Sequence, residues 1–151
     1  MQKHLKPIGE VLESTAFFTS DEVKCALSLA DEVLEKGNND YIFYVYEDRE
    51  KPVGFIIYGP ITVSDKAYDL YWIVVHKDCQ GKGVGKALMD FMETDLKKKG
   101  ARMVIAETSS LPLYEPTRKF YARAGYLLEA TVKDFYKPGD DRLLFVKRLK
   151  R

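Results

Sequence analysis

The segment that most restricts the fold is Gln80-Gly81-Lys82-Gly83-Val84-Gly85-Lys86, which lies between the apolar run Leu70–Val75 and an amphipathic run beginning at Val84. Glycines let successive backbone N–H groups converge on one concavity, and a helix start adds a partial positive charge, so such a turn is built to cradle a pyrophosphate. A glycine cluster alone reads equally well as a flexible turn; its place between a strand and a helix favours the phosphate reading. The spacing rules out two familiar phosphate loops. A Walker A loop needs glycine where this chain has Gln80 and Ser or Thr where it has Ala87, while the dinucleotide fingerprint starting at Gly81 needs glycine where Lys86 stands.

The apolar periodicity extends this strand–turn–helix unit in both directions. Val23, Ala26, Leu27, Ala30, Val33 and Leu34 recur at helical spacing over Asp21–Lys36, with Thr19 and Glu22 as a capping box and Gly37 as the stop. Tyr41–Glu47 and Val53–Tyr58 are β-branched and aromatic runs joined by the charged turn Asp48–Lys51, an antiparallel hairpin. After a break at Gly59 and Pro60, Tyr68–Val75 is a third strand. The helix after the loop runs from Val84 to Lys99, with Val84, Leu88, Phe91, Met92 and Leu96 on one side and Gly100 at its end. Arg102–Thr108 is a strand parallel to Tyr68–Val75, because a helix connects them. A short helix near Pro116–Ala124 and strands at Tyr126–Phe135 and Arg142–Lys147, turned by Lys137–Asp141, complete the pattern. The expected fold is α/β, a single-domain mixed twisted sheet flanked by helices and spanning 1–151. Its length and 46% apolar content suffice for one sizeable core.

Lys and Arg total 24 against 23 Asp and Glu, so the chain lacks the basic field on which most nucleic-acid and anionic-membrane binders rely. No apolar run reaches the ~20 residues of a membrane span, and Met1–Pro7 lacks the apolar centre of a secretory signal, which places the chain in the cytoplasm. Cys25 and Cys79 read as free thiols. His76, three residues before Cys79, raises a cysteine–histidine pair or half a metal site, but the glycines explain this loop better, and no metal is expected.

Gln80, Gly83 and Gly85 form Gln-x-x-Gly-x-Gly after a strand, and Phe120-Tyr121-Ala122-Arg123-Ala124-Gly125-Tyr126 forms Phe-Tyr-x-x-x-Gly-Tyr farther on. With these two motifs in this order, residues 40–148 resemble the GNAT acetyltransferase family. The resemblance implies the acyl-CoA N-acyltransferase fold, with acetyl-CoA as co-substrate. It implies that backbone groups of Val74, Val75 and His76 pair with the pantetheine arm, while N–H groups of Gln80, Gly81, Lys82, Gly83, Val84, Gly85 and Lys86 hold the pyrophosphate. Lys82 and Lys86 either add charge there or are ordinary solvated lysines. The family usually begins with a strand, but Ile8, Val11, Leu12, Phe17 and Phe18 are spaced more like a short helix, so that strand is expected to be missing or short. Where many members carry an Asn contacting the cofactor, this chain has Tyr114.

An attacking amine must lose its proton, and a lysine-like amine has a pKa of about 10.4, so a base is required. Glu107, near the end of a strand expected to splay from its neighbour, matches a glutamate that some family members use; the alternative is an anchor for the turn at Thr108–Ser110. Asp69, earlier in its own strand, is a weaker candidate. The resemblance assigns Tyr121 to protonate the departing thiolate, whose thiol has a pKa of about 8.5; the alternative is a core aromatic. Acceptor walls are expected from Thr19–Asn39 and from Asp134, Phe135 and Tyr136, with Tyr71 and Trp72 as weaker contributors. The expected reaction is acetyl transfer to a primary amine, either a small molecule or a peptide. Alternatives are a protein α-amine or lysine acetyltransferase and a non-catalytic CoA-binding module. Exposed edge strands make a homodimer an expectation.

Overall fold

The computed structural model describes residues 5–14, 24–25, 27–28 and 41–150. Helix α1 covers Leu5–Ser14. Strands β1 (Ile42–Asp48), β2 (Lys51–Pro60) and β3 (Ala67–Val75) precede helix α2 (Val84–Lys98); β4 (Met103–Ser109), helix α3 (Glu115–Arg123), β5 (Leu127–Lys137) and β6 (Asp140–Arg148) follow. The strands form one six-stranded mixed sheet in the order β1-β2-β3-β4-β6-β5. β3 and β4 are parallel, as a helical crossover requires, while β1 with β2, β4 with β6 and β5 with β6 are antiparallel. The expected helix Asp21–Lys36, with its cap at Thr19 and Glu22 and its stop at Gly37, lies mostly outside the described residues; residues 24–25 and 27–28 are helical. Among the described residues the first strand begins at Ile42, and α1 precedes it. None of the described helices is long and apolar enough to cross a membrane.

The chain packs as two compact units, Met1–Gly59 with Trp72–Met92, and Pro60–Tyr71 with Glu93–Arg151, so that β3 and α2 each contribute to both. In the first unit, Val11 and Leu12 of α1 are buried in a cluster with Phe55, Ile57 and Val74, flanked by Leu27, Tyr41, Phe43, Val45 and Trp72. β2 is buried from Pro52 to Gly59, as expected of a strand covered on both faces, and it continues through the Gly59–Pro60 step where a break was expected. The loop after it is closed by the Ile61 N–H donating to the Ala67 carbonyl, 2.9 Å.

α2 buries Val84, Leu88, Met89, Met92 and Leu96, but Phe91, expected on that stripe, is exposed. The stripe is centred between Leu88 and Met89, which at 100° per residue leaves position 91 about 110° away. The Phe91 ring instead meets the Tyr44 ring edge-on at 4.4 Å. Two helices of the second unit end in the same way. Gly100 (φ +76°) lets the Ala101 N–H reach the Leu96 carbonyl at 2.9 Å, and Gly125 (φ +94°) lets the Tyr126 N–H reach the Tyr121 carbonyl at 3.0 Å. Both are six-to-one closures that favour glycine in the left-handed region.

Candidate active site

The glycine loop lies in the first unit. His76 donates its N–H to the Val53 carbonyl (2.7 Å), and its Nδ1 accepts from the Asp78 N–H (3.1 Å), capping a single 3-10 turn over Lys77–Cys79. His76 is thus tied to the turn rather than paired with Cys79. Gln80 folds its amide Nε2 back onto the Val75 carbonyl at 3.0 Å, stitching the loop to the end of β3. Gly81 (φ +76°) and Gly83 (φ +87°) flank Lys82, so backbone handedness alternates as in an anion-binding nest. A Cβ at either glycine would meet nothing within 4 Å, so backbone angle and not space demands glycine there. Helix α2 then starts with the Ala87 N–H on the Gly83 carbonyl (3.0 Å), which leaves the N–H groups of its first turn directed out of the helix start. Beneath the loop, Gly54 is spatially required: a Cβ would stand 3.1 Å from both the Val74 carbonyl and Val84 Cγ1. Lys86 pairs with Asp90 one turn along the exposed helix face, 2.7 Å. Lys82 is exposed.

The two proposed catalytic side chains lie in the second unit. Tyr121 is buried, with its ring 5.8 Å from Tyr126 and 6.0 Å from Phe145, and burial pushes its pKa well above the usual phenol value. Its phenol stays neutral, and hence a donor, throughout the physiological range. The Gly125 closure fixes the Tyr121 backbone, which gives the Tyr-x-x-x-Gly-Tyr spacing a physical meaning. Lys147 reinforces it by donating to the Ala124 carbonyl (2.8 Å) and to Glu93 Oε1 (2.7 Å). Tyr126, beneath the Lys147 ammonium, has its pKa raised by burial and then by the Glu93 charge.

Glu107 occupies a different setting. β3 and β4 pair from Ala67–Met103 to Leu70–Ala106, and Glu107 is the first β4 residue beyond the last pair. Its side chain, 41% exposed, forms an ion pair with Arg142. The Tyr136 hydroxyl donates to the same carboxylate, and burial followed by the Glu107 charge pushes the Tyr136 pKa up to about 12. Asp69 is close enough that Glu107 raises its pKa further, after burial, with Arg142 opposing. The guanidinium of Arg142 stands over the Phe135 ring at 5.0 Å, and Phe135 meets Tyr136 edge-on. Glu107 pairs with Leu144, whereas Tyr121 packs on Phe145; successive strand residues face opposite ways, so Glu107 and Tyr121 lie on opposite faces of the sheet.

The hairpin carrying Phe135 and Tyr136 is held by its own polar groups. Asp134 (φ +56°) donates its N–H to Asp141 Oδ1 (2.9 Å) and accepts from the Gly139 N–H (2.8 Å). The Asp141 N–H donates to Ser110 Oγ (2.8 Å), and buried Asp140 accepts from Ser109 Oγ. Arg118 donates to the carbonyls of Ser109 and Leu111 (2.8 and 2.9 Å), bracing the turn after β4.

Residues 39–127 match the family described as Acetyltransferase (GNAT) domain, more than half of the chain. The chain belongs to the GNAT family. A solved structure of a protein assigned to the GNAT acetyltransferases of Desulfovibrio desulfuricans is 37% identical and superposes with a TM-score of 0.95 over 99% of this chain and 95% of that one. An uncharacterized N-acetyltransferase of Methanocaldococcus jannaschii is 27% identical over 107 residues, 70% of this chain and 65% of the relative's own length. An aminoglycoside 6'-N-acetyltransferase, solved in complex with coenzyme A, shares the fold at 17% identity, with a TM-score of 0.74 over 97% of this chain and 91% of its own.

Within this GNAT chain, Arg142 is the residue of the candidate site that sequence reasoning missed. It is separated from Glu107 by 35 residues, and only the β4–β6 register brings them together, a relation no local spacing announces. Tyr136 was visible as an aromatic on the last hairpin, but its bond to Glu107 was not. Tyr114 ends a 3-10 turn and stands at the cap of α3, where the family's Asn was expected. Among the described residues no group of three or more His, Cys, Asp and Glu is arranged to hold a metal ion.

Proposed function

We propose that this chain, acting as one catalytic domain, is an N-acetyltransferase that moves the acetyl group of acetyl-CoA to a primary amine by direct attack. The observation that carries the reading is the pair of left-handed glycines, Gly81 and Gly83, at the β3–α2 turn of a chain that belongs to the GNAT family. Alternating backbone handedness and a helix start suit a pyrophosphate, and the open space at both glycines leaves room for it. Gln80, Gly81, Lys82, Gly83, Val84, Gly85 and Lys86 would hold the pyrophosphate, and the backbone of Val74, Val75 and His76 the pantetheine arm. Acetyl-CoA supplies an acyl group activated as a thioester.

Glu107 accepts the proton of the acceptor amine, directly or through water, after exchanging Arg142 or Tyr136 for it. Tyr121, kept neutral by burial, donates to the departing sulfur. The proton leaves as the C–S bond breaks, and the phenolate, disfavoured by burial, takes a proton back from solvent, which balances the proton that Glu107 has taken from the amine and returns to solvent. Base and acid on opposite faces suit an acceptor and a thiol that arrive from opposite sides at the stretch of β4 beyond its last β3 partner. Phe135 and Tyr136, folded back towards Glu107, favour a small acceptor over a peptide lying in an open groove. Free thiols at Cys25 and Cys79 suit a reducing compartment such as the cytoplasm.

A thermal-shift titration with acetyl-CoA, coenzyme A, ATP and NAD tests the loop assignment, since a ligand of the native state raises the melting temperature. A response to the two CoA ligands alone is expected. A preference for ATP or NAD, or no CoA response, overturns the reading. Thiol release across an amine panel then identifies the acceptor.

A further inference from the structure

The face of the sheet that carries Glu107 also carries a cation. Asp69 is in register with Ile105 and Arg142 with Ser109, the residues two places before and after Glu107 on β4, so the three charged side chains project from one face. Glu107 lies against the Nε edge of the Arg142 guanidinium, and among the described residues that guanidinium has no acidic or carbonyl partner besides Glu107. Its Nε is enclosed, yet 35% of the side chain is exposed, so what faces solvent is the rest of it. A guanidinium presents its N–H donors in a fixed fork, which grips a carboxylate through two parallel bonds.

An amine arrives as an ammonium, and the proposed chemistry brings it to Glu107. Its entry takes the anion away from Arg142. Asp69 cannot stand in, because β3 and β6 flank β4 and their backbones are about 10 Å apart, while the guanidinium is seated over the Phe135 ring at 5.0 Å. Leaving a half-enclosed guanidinium without a counter-ion is costly. An acceptor that carries its own carboxylate removes that cost: its ammonium replaces Arg142 on Glu107, and its carboxylate replaces Glu107 on Arg142. Since the two protein groups touch, the two ligand groups must also be neighbours, as they are in an α-amino acid.

We propose that the acceptor is an α-amino acid, with its ammonium held by Glu107 and its carboxylate by Arg142. This rests on the acetyl-transfer reading and names the acceptor class for it. The ammonium gives up two protons, through Glu107 to solvent. Its nitrogen bonds to the thioester carbonyl carbon as the C–S bond breaks, and the sulfur receives one proton by way of Tyr121, so one proton is released in each turnover. The N-acetyl product has lost the cation and kept the anion. Glu107, once returned to its carboxylate form, competes for Arg142 again and favours release.

The test is thiol release from acetyl-CoA by the full-length chain with the α-amino acids, the amide of each and the corresponding decarboxylated amine; an aminoglycoside and a diamine serve as cationic acceptors without a carboxylate. At least one amino acid should exceed its amide and its decarboxylated amine in kcat/KM by roughly 100-fold, the penalty for leaving a half-exposed guanidinium unpaired. The amine of the amide is the less basic, so intrinsic reactivity runs against this order. In Arg142→Met, checked for folding by circular dichroism, the ratio should collapse towards unity, while Arg142→Lys, which keeps the charge without the fork, should retain part of it. A preference for any acceptor lacking a carboxylate overturns the inference and leaves acetyl transfer standing. So does a chain that binds acetyl-CoA but releases thiol with no amino acid, or a ratio that survives Arg142→Met. Failure to bind acetyl-CoA overturns the inference together with the reading beneath it.

Discussion

Tyr121 and Asp69 show how burial acts on two acids of very different strength. For Tyr121 it preserves the proton that the proposed mechanism needs. Replacing it with phenylalanine keeps the ring contacts with Tyr126 and Phe145 and removes only the hydroxyl. Turnover of the acceptor found by screening should fall about 10²- to 10⁴-fold while acetyl-CoA affinity, read by calorimetry, hardly changes; undiminished turnover would remove the acid role. For Asp69, burial and then Glu107 raise the carboxyl above its ordinary 3.8, so the folded chain holds this proton more tightly than the unfolded one. Its contribution to stability is therefore complete below the unfolded value and is lost as pH rises through the raised one. Asp69→Asn, neutral at every pH, should melt higher than wild type at neutral pH, with the gain shrinking towards about pH 4. A gain that is constant across a calorimetric pH series would show that the charge of Asp69 is not its source.

At the scale of elements, glycine has two separate uses around the loop, and substitution distinguishes them. Gly83→Ala meets no atom, so its cost is the backbone strain of φ +87°, about 1–2 kcal/mol, and the larger effect should be weaker CoA binding as the turn relaxes. Gly54→Ala has no strained angle but would press on the Val74 carbonyl and Val84, costing about 1–3 kcal/mol, read from urea midpoints. The loop glycines were legible in the sequence because their φ requirement is local. The need for Gly54 was not, because it depends on which residue of β3 and α2 lies opposite. The same division runs through the fold. Every described strand and the helices α2 and α3 were recognisable from period and punctuation, since both follow from neighbouring residues. Phe91 was misplaced because a stripe read from spacing alone has no fixed centre until the helix is packed. Glu107 and Tyr121 stand out as candidates through motif and strand position. Arg142 beside Glu107, and Lys147 on the carbonyl that ends the helix of Tyr121, do not, since register assigns them.

For the molecule as a whole, Lys147 has the widest reach in the second unit. From β6 it joins Glu93 on α2 to the carbonyl that ends α3, and Gly125 leaves space for its stem, with a Cβ there lying 3.3 Å from Lys147 Cε. Lys147→Met keeps most of the stem but strands a carboxylate that is almost wholly enclosed, so a loss of about 2–4 kcal/mol is expected in denaturant unfolding. Changing Glu93 to Gln in that background should recover part of it, as coupled partners do. The last hairpin has the opposite character. Its backbone is set by Asp134, Asp141, Gly139 and Ser110, none of which depends on the identity of the two rings it displays. Positions 135 and 136 are therefore free to vary without refolding their support. If the two rings wall the acceptor side as proposed, a change at these positions can exchange one nitrogen nucleophile for another while the rest of the site stays intact.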